Sequence, residues 1–177
     1  MPWDDELFAL FDDLEAQAEA AFAADREVEL ADRARAEYAS VSFASRLMAS
    51  VGTTVSLTVV AVGSLTGRLA RVSEGWLLLE SPSRGWIVPW PAVTSVGGAS
   101  PRSRSELTWS PVTRLGLGSA LRRLEEAGTP CVLHLTDESQ LAAQLRRVGK
   151  DFVEVTVGEE VVRLVPFAAI AAVSSRE

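Results

Sequence analysis

The sequence predicts a mainly β protein with helices: a long acidic N-terminal helix, then two tandem five-stranded barrels, each preceded by a helix. Three observations predict it. Residues 52–96 and 128–173 repeat one pattern of apolar, glycine and proline positions. Apolar and polar residues alternate after Gly52 and again after Gly128, as in half-buried strands. The first 40 residues instead space their apolar residues by three and four, as in a helix.

The first predicted element is a helix over residues 4–38, a stretch without proline or glycine. Residues 1–40 hold 12 acidic residues and three arginines, a net charge of −9, whereas the remainder carries +2. This amphipathic helix should dock its apolar stripe onto a barrel or a second chain, with Leu10 and Leu14 as candidate partner contacts. The stripe comprises Leu7, Leu10, Phe11, Leu14, Ala18, Ala21, Ala24, Val28, Ala31 and Tyr38.

The two repeats follow in the same order of elements. A helix is predicted over 43–50 before the first and over 117–127 before the second, and each leads into five short strands. Without a gap, Leu57 aligns with Leu133 and Trp76 with Phe152; one inserted residue then aligns Val88 with Val165. Five short strands are too few for a sandwich and suit a bent, closed barrel. The predicted divisions are 1–42 for the acidic helix, 43–98 for the first barrel, 99–116 for a Gly/Ser/Pro/Arg linker with a mobile middle, and 117–175 for the second barrel.

The repeat unit resembles a known family. Its order is a helix, Gly-x-x-Val-x-Leu, Leu-x-x-x-Leu-x-x-Val, then Gly-Trp-Leu-Leu-Leu or Asp-Phe-Val-Glu-Val, and a closing Val-Pro strand. This resembles the Sm-like branch of SH3-like barrels, and the chain is similar to actinobacterial proteins that place an acidic helix before two such copies. The resemblance covers both repeats and implies tandem Sm-like barrels in a regulatory protein.

The resemblance does not assign an RNA-binding role to any residue of this chain. RNA-binding Sm-like proteins typically carry an Asp and an Asn in the turn after the second strand, and an Arg-Gly pair before the last. This chain has Ser73, Glu74 and Gly75 at the first of these places and Pro89 and Trp90 at the second. An RNA-binding function therefore has to rest on other basic and aromatic residues.

Candidate catalytic, metal and cofactor groups are few. His134 is the one histidine and aligns with Thr58 on the outward face of its strand, so we expect it at the surface. Cys131 is the one cysteine, aligns with Val55 and should face the core. The two lie three apart on a strand and point to opposite faces, which excludes a dyad. We expect no enzyme, no cofactor, no metal and no small-molecule substrate.

The expected environment is the cytoplasm. No apolar run approaches the roughly 20 residues needed to cross a bilayer, and the N-terminus is acidic where a signal peptide would be basic. A single cysteine agrees with a reducing compartment.

Two binding hypotheses remain. Trp86 aligns with Arg163, so it should be at least partly exposed, and with Arg84 nearby it forms a candidate protein contact. A Trp covered by the N-terminal helix is an equal alternative. The preferred function is a non-enzymatic adaptor or regulator that docks protein partners or self-associates. Its two barrels should either pack as an internal pseudo-dimer or join through exposed strand edges. The alternative is an RNA-binding regulator that uses basic and aromatic residues, namely Arg146, Arg147, Lys150, Arg102, Arg104 and Trp109.

Overall fold

The computed structural model describes residues 2–158 and 161–175. The side chains of residues 2–9, 12 and 24 lie outside this description, so the predicted stripe positions Leu7 and Ala24 are not compared with it. The chain divides into two compact units, Met1–Val41 and Ser42–Glu177.

The first unit is one long helix, α1 (Pro2–Ala39), which confirms the predicted N-terminal helix. Its described large apolar side chains are exposed, among them Leu10, Phe11, Leu14 and Phe22. Within the described residues, no helix is both long and apolar enough to cross a membrane.

The second unit is mainly β and contains two short helices, α2 (Phe43–Ala49) and α3 (Leu117–Glu126), one before each repeat as predicted. Ser42 caps α2, because its hydroxyl accepts a hydrogen bond from the Ser45 N–H at 3.1 Å. The first repeat contains β1 (Thr54–Val59), β2 (Gly63–Ser73), β3 (Trp76–Glu80), β4 (Gly85–Pro89) and β5 (Val93–Gly97). The second contains β6 (Cys131–Leu135), β7 (Gln140–Val148), β8 (Phe152–Val157), β9 (Val161–Pro166) and β10 (Ile170–Ser175).

All ten strands join one antiparallel sheet in the order β5-β1-β2-β3-β4-β10-β6-β7-β8-β9. Each half has the same internal order, with the last strand of the repeat placed beside its first. The halves meet where β4 pairs with β10. The sheet is open and ends at β5 and β9, so the prediction of two closed barrels is not confirmed.

The duplication extends to irregular details of the backbone. A β-bulge interrupts β2 between Leu69 and Arg71, and an equivalent bulge interrupts β7 between Leu145 and Arg147. The Trp90 N–H donates to the Gly75 carbonyl at 2.9 Å, and in the second repeat Phe167 donates to Asp151 at 2.8 Å. Equivalent bulges and turn hydrogen bonds mean that the two repeats share one local fold.

Each repeat has its own apolar core, and each core also includes residues of the other repeat. The first core packs around Leu57, Leu69 and Leu79 and includes Ala171 and Ala172 of β10. The second packs around Leu133, Leu145 and Val155 and includes Trp76 and Ile87 of the first repeat. Exchanged core residues tie the two halves into a single packed unit.

The segment 99–116, expected to be a linker with a mobile middle, packs on the first repeat instead. The Ser100 N–H donates to Ser50 Oγ at 2.9 Å, and the Arg104 N–H donates to the Ser45 carbonyl at 3.0 Å. Further along, the Trp76 indole N–H donates to the Leu115 carbonyl at 2.8 Å. These bonds satisfy backbone groups of an irregular segment and fix its path.

Candidate functional site

The junction between β4 and β10 shows how one repeat recognises another. Val173 lies opposite Ile87, and Ser174 lies opposite Trp86. The Gly85 N–H adds a hydrogen bond to Ser175 Oγ at 3.1 Å. Ile87 packs into the second core while its own strand belongs to the first repeat. The junction therefore combines strand pairing with apolar burial.

Trp86 lies at the centre of this junction and is only 8% exposed, so the expectation of an exposed indole is wrong. Its ring lies 5.1 Å from the ring of His134, centroid to centroid, at an interplanar angle of 41°. Trp86 also packs within the first core, which includes Ala171 and Ala172 of the second repeat. The residue predicted to contact a protein partner thus contacts the other half of its own chain.

His134 was expected at the surface and is instead 5% exposed. Its Nε2 lies 3.1 Å from Ser174 Oγ, so the imidazole joins β6 to β10 beneath Trp86. Burial lowers the pKa of His134, and the positive charge of Arg84 lowers it further. The neutral imidazole is therefore the form that this junction favours, and Arg84 acts on the junction electrostatically.

The two end strands of the sheet are the repeat counterparts of the two strands that pair at the junction. By the repeat alignment, β9 corresponds to β4 and β5 corresponds to β10. Leu164 of β9 is 65% exposed, whereas its counterpart Ile87 is 9% exposed. Val161 and Val162 are exposed as well. An apolar edge strand of this kind is a template for pairing with another strand.

The second exposed apolar surface lies on α1. At about 100° per residue, its large apolar side chains Leu10, Phe11, Leu14, Phe22 and Val28 fall within an arc of about 120°. Leu10 and Leu14 are each more than half exposed, as are the other three. Phe22 was not among the predicted stripe residues, although its spacing from Leu14 and Ala18 could have found it. Leu30 and Tyr38 are also exposed but lie outside this arc, so we define the helix stripe by the five residues within it.

The residues predicted for nucleic acid fall into two groups. Arg146 and Arg147 are exposed on β7, and Lys150 is exposed in the following turn. Arg147 lies opposite Glu154 of β8, which offsets part of the positive charge. Arg102 and Arg104 are exposed in the segment packed on the first repeat. Trp109 of that segment is partly buried against the first core, so its ring is not a free stacking platform.

A cleft of about 510 Å³ opens where this segment crosses the first repeat. The indole N–H groups of Trp90 and Trp109 are buried there without a hydrogen-bond partner. Phe43 packs edge-on against Trp90, with ring centroids 6.3 Å apart. The charged residues of the lining are of both signs: Glu74, Glu106 and Arg114.

The remaining chemistry is sparse. Cys131 is buried, as predicted, and burial raises the pKa of its thiol to about 11, which keeps it protonated and unreactive. Among the described residues, no group of three or more His, Cys, Asp or Glu side chains is placed to hold a metal ion.

No family model matches this chain, and no curated protein matches it. The resemblance to Sm-like barrels therefore stays a prediction from the sequence.

Joining of the two halves through strand edges was one of the two expected arrangements, but the sequence reasoning did not identify β4 and β10 as the strands that pair. A signal for this pairing was present in the mismatches between repeats. Trp86 aligns with Arg163, His134 with Thr58, and the pair Ala171 and Ala172 with Thr94 and Ser95. At the junction, Trp86 is less polar than its counterpart, and His134 is larger than its counterpart. The two alanines lack the hydroxyl groups of their counterparts. A buried position favours all three of these differences.

Proposed function

We propose that this protein is a non-enzymatic adaptor or regulator that assembles protein partners through an acidic helix and two tandem Sm-like, five-stranded barrels. The observation that carries the proposal is the helix stripe, with Leu10, Phe11, Leu14, Phe22 and Val28 all exposed on one face of α1. Acidic residues outside the arc, such as Glu15, Glu19 and Glu27, keep the helix soluble, and Asp25 is an acidic residue within the arc.

The energetics favour a protein partner for the stripe. Burying one leucine side chain is worth about 1.5–3 kcal/mol, so Leu10 and Leu14 alone supply a large part of a micromolar interaction. Apolar residues at helical spacing are the anchors of helix-in-groove recognition. Because residues 1–40 carry a net charge of −9, the partner groove should be apolar with a basic rim.

The barrel part of the proposal rests on the repeats. Both have the same strand order, equivalent bulges and equivalent turn hydrogen bonds. The Sm-like resemblance of their apolar pattern supports a bent, barrel-like shape for each half. The single, buried cysteine supports a cytoplasmic protein.

The test compares two double variants of the full chain. Leu10→Asp with Leu14→Asp places charge on the stripe, and Ala16→Asp with Ala20→Asp places the same charge outside it. We expect the first to lose the protein partners recovered from native cells after nuclease treatment, and the control to retain them. The proposal is wrong if nuclease removes every partner, or if both double variants recover the same partners as the unchanged chain.

A second candidate function is RNA binding through Arg146, Arg147 and Lys150. The observation that favours it is that all three are exposed around one strand end. Under this alternative the acidic helix acts as an intramolecular mimic of nucleic acid. Partners that disappear on nuclease treatment would favour it over the adaptor function.

A further inference from the structure

A groove of about 390 Å³ lies on the first repeat, between the end of α2, the middle of β2 and a short 3-10 helix, Pro111–Arg114. Its lining is mostly apolar and includes Met48, Val51 and Val112. Among the described residues that line it, Arg71 is the charged one. The groove is therefore apolar and carries positive charge, which is the character expected for the partner of the helix stripe.

Hydrogen bonds fix the wall of the groove that the 3-10 helix forms. The Glu74 N–H, just after β2, donates to the Thr113 carbonyl at 2.7 Å. The Thr113 hydroxyl donates to the Ser110 carbonyl at 2.6 Å. Within the lining, Val51 is 40% exposed and Val112 is 51% exposed. The groove is thus formed before any partner binds, and it leaves apolar surface for a partner to cover.

The N-terminal part of the helix stripe has the complementary chemistry. Leu10 and Leu14 lie one helical turn apart, and each is more than half exposed. Asp13 and Glu15 flank Leu14 in sequence, and at about 100° per residue they fall on opposite sides of the apolar arc. A helix that places the two leucines in the groove therefore brings carboxylates toward Arg71.

The length of α1 favours a groove on a different molecule. At 1.5 Å per residue, Leu14 lies about 38 Å along the helix from Ala39, and Leu10 lies about 44 Å from it. Residues 40–42 and the first six residues of α2 span at most about 22 Å between Ala39 and Met48. A straight α1 therefore cannot place these leucines against Met48 of its own chain.

We propose that the Leu10–Leu14 part of the helix stripe docks in this groove on a second copy of the chain. The inference rests on the proposed function and names a partner for the stripe: another molecule of the same protein. Pairing of two stripes with each other is less favourable, because residues 1–40 of each copy carry a net charge of −9 and repel their equivalent. Each copy has one stripe and one groove, so two copies that exchange helices form a closed dimer.

The test disables the stripe in one molecule and the groove in another, and then mixes them. Sedimentation velocity of the full chain measures association. Leu10→Asp with Leu14→Asp removes the stripe, and Val51→Asp places a negative charge in the groove against an acidic helix. Each variant alone should associate at least about tenfold more weakly than the unchanged chain. An equal mixture should form a complex of the two, because the groove of the first variant accepts the stripe of the second.

The controls match these substitutions in residue type and exposure. Val60 also lies in a turn and is 37% exposed, but it is outside the groove. Val60→Asp should leave association unchanged, as should Ala16→Asp with Ala20→Asp. Arg71→Glu changes charge without removing an apolar contact and should weaken association by about threefold or more, with a smaller effect at high salt. Unchanged melting temperatures show that each variant folds.

The proposal is overturned if the unchanged chain stays monomeric, if Val51→Asp associates as Val60→Asp does, or if the mixture forms no complex. The adaptor function fails separately. If the stripe variant loses the partners recovered from native cells but the mixture forms no complex, the adaptor function stands and its partner is not a second copy. If the mixture forms the complex while those partners are unaffected by the stripe variant, the docking is confirmed and the adaptor function is wrong.

Discussion

Strands β4 and β9 are equivalent by sequence alignment but lie in different surroundings. Strand β4 has a neighbour on each side and buries Trp86 and Ile87, whereas β9 has one neighbour and exposes Arg163 and Leu164. The alternation of residues along each strand is alike. The neighbouring strand differs, and so do the residues at these positions, with Trp86 in one repeat and Arg163 in the other. Burial here therefore depends on pairing between the repeats as well as on the pattern within each one.

The largest expected effect comes from removing the indole at the junction. Trp86→Ala leaves a cavity between the repeats and should lower the free energy of unfolding by about 3–5 kcal/mol. The equivalent Arg163→Ala on the open edge should change it by no more than about 0.5 kcal/mol. Chemical denaturation of both variants checks the comparison. Similar losses for the two would mean that the junction is not buried in solution.

A smaller effect is expected where the repeats differ by one methyl group. Gly67 lies opposite Val55, and its counterpart Ala143 lies opposite Cys131. A Cβ at Gly67 would overlap the backbone carbonyl of Glu80. Gly67→Ala should therefore cost about 1–3 kcal/mol, and Ala143→Gly only about 0.5–1 kcal/mol. Thermal melts in which Gly67→Ala is as stable as the unchanged chain would contradict this account of the first repeat.

The histidine of the junction should make stability depend on pH. Because the folded-state pKa of His134 lies below 6.5, the unfolded chain binds a proton first as pH falls. The contribution of the neutral imidazole is complete above pH 6.5 and is lost as pH decreases toward the folded-state pKa. His134→Gln should remove this part of the dependence. Denaturation at several pH values from 7.5 to about 5 checks it, and identical slopes for the two chains would refute it.

The smallest effect is expected for RNA. Under the adaptor function, removing residues 1–41 should create no strong, salt-sensitive RNA binding, even though it removes most of the negative charge. The remaining Ser42–Glu177 unit is compact by itself. Filter binding at two salt concentrations measures this. Tight binding that falls with salt and is abolished by Arg146→Glu with Arg147→Glu would establish the RNA alternative instead.

The sequence was sufficient to predict local structure because local structure depends on local patterns. The helix predicted over 43–50 spans Phe43–Ala49, and the helix predicted over 117–127 spans Leu117–Glu126. The duplication was visible because equivalent turns need the same residues. Gly52 and Gly128, for example, both have a positive φ, which strongly favours glycine.

The rest could not be predicted because it depends on contacts between distant segments. The alternation of apolar and polar residues around Trp86 does not indicate that β10 lies beside it. His134 aligns with a residue on the outward face of its strand, yet its side chain is buried. The segment 99–116 has the composition of a mobile linker, yet hydrogen bonds such as that from Arg104 to Ser45 hold it on the first repeat. The exposed edge of β9 follows from the same long-range pairing.

Hydrogen–deuterium exchange tests most directly whether the two repeats pair at β4 and β10. The account predicts that amides of β4 and β10 at the junction exchange slowly, as those of the internal strands β2 and β7 do, while amides on the open edge of β9 exchange faster. Trp86→Ala should speed exchange in β4 and β10 together. Fast exchange in β4 and β10 of the unchanged chain, or a change in only one of the two strands in the variant, would contradict the account.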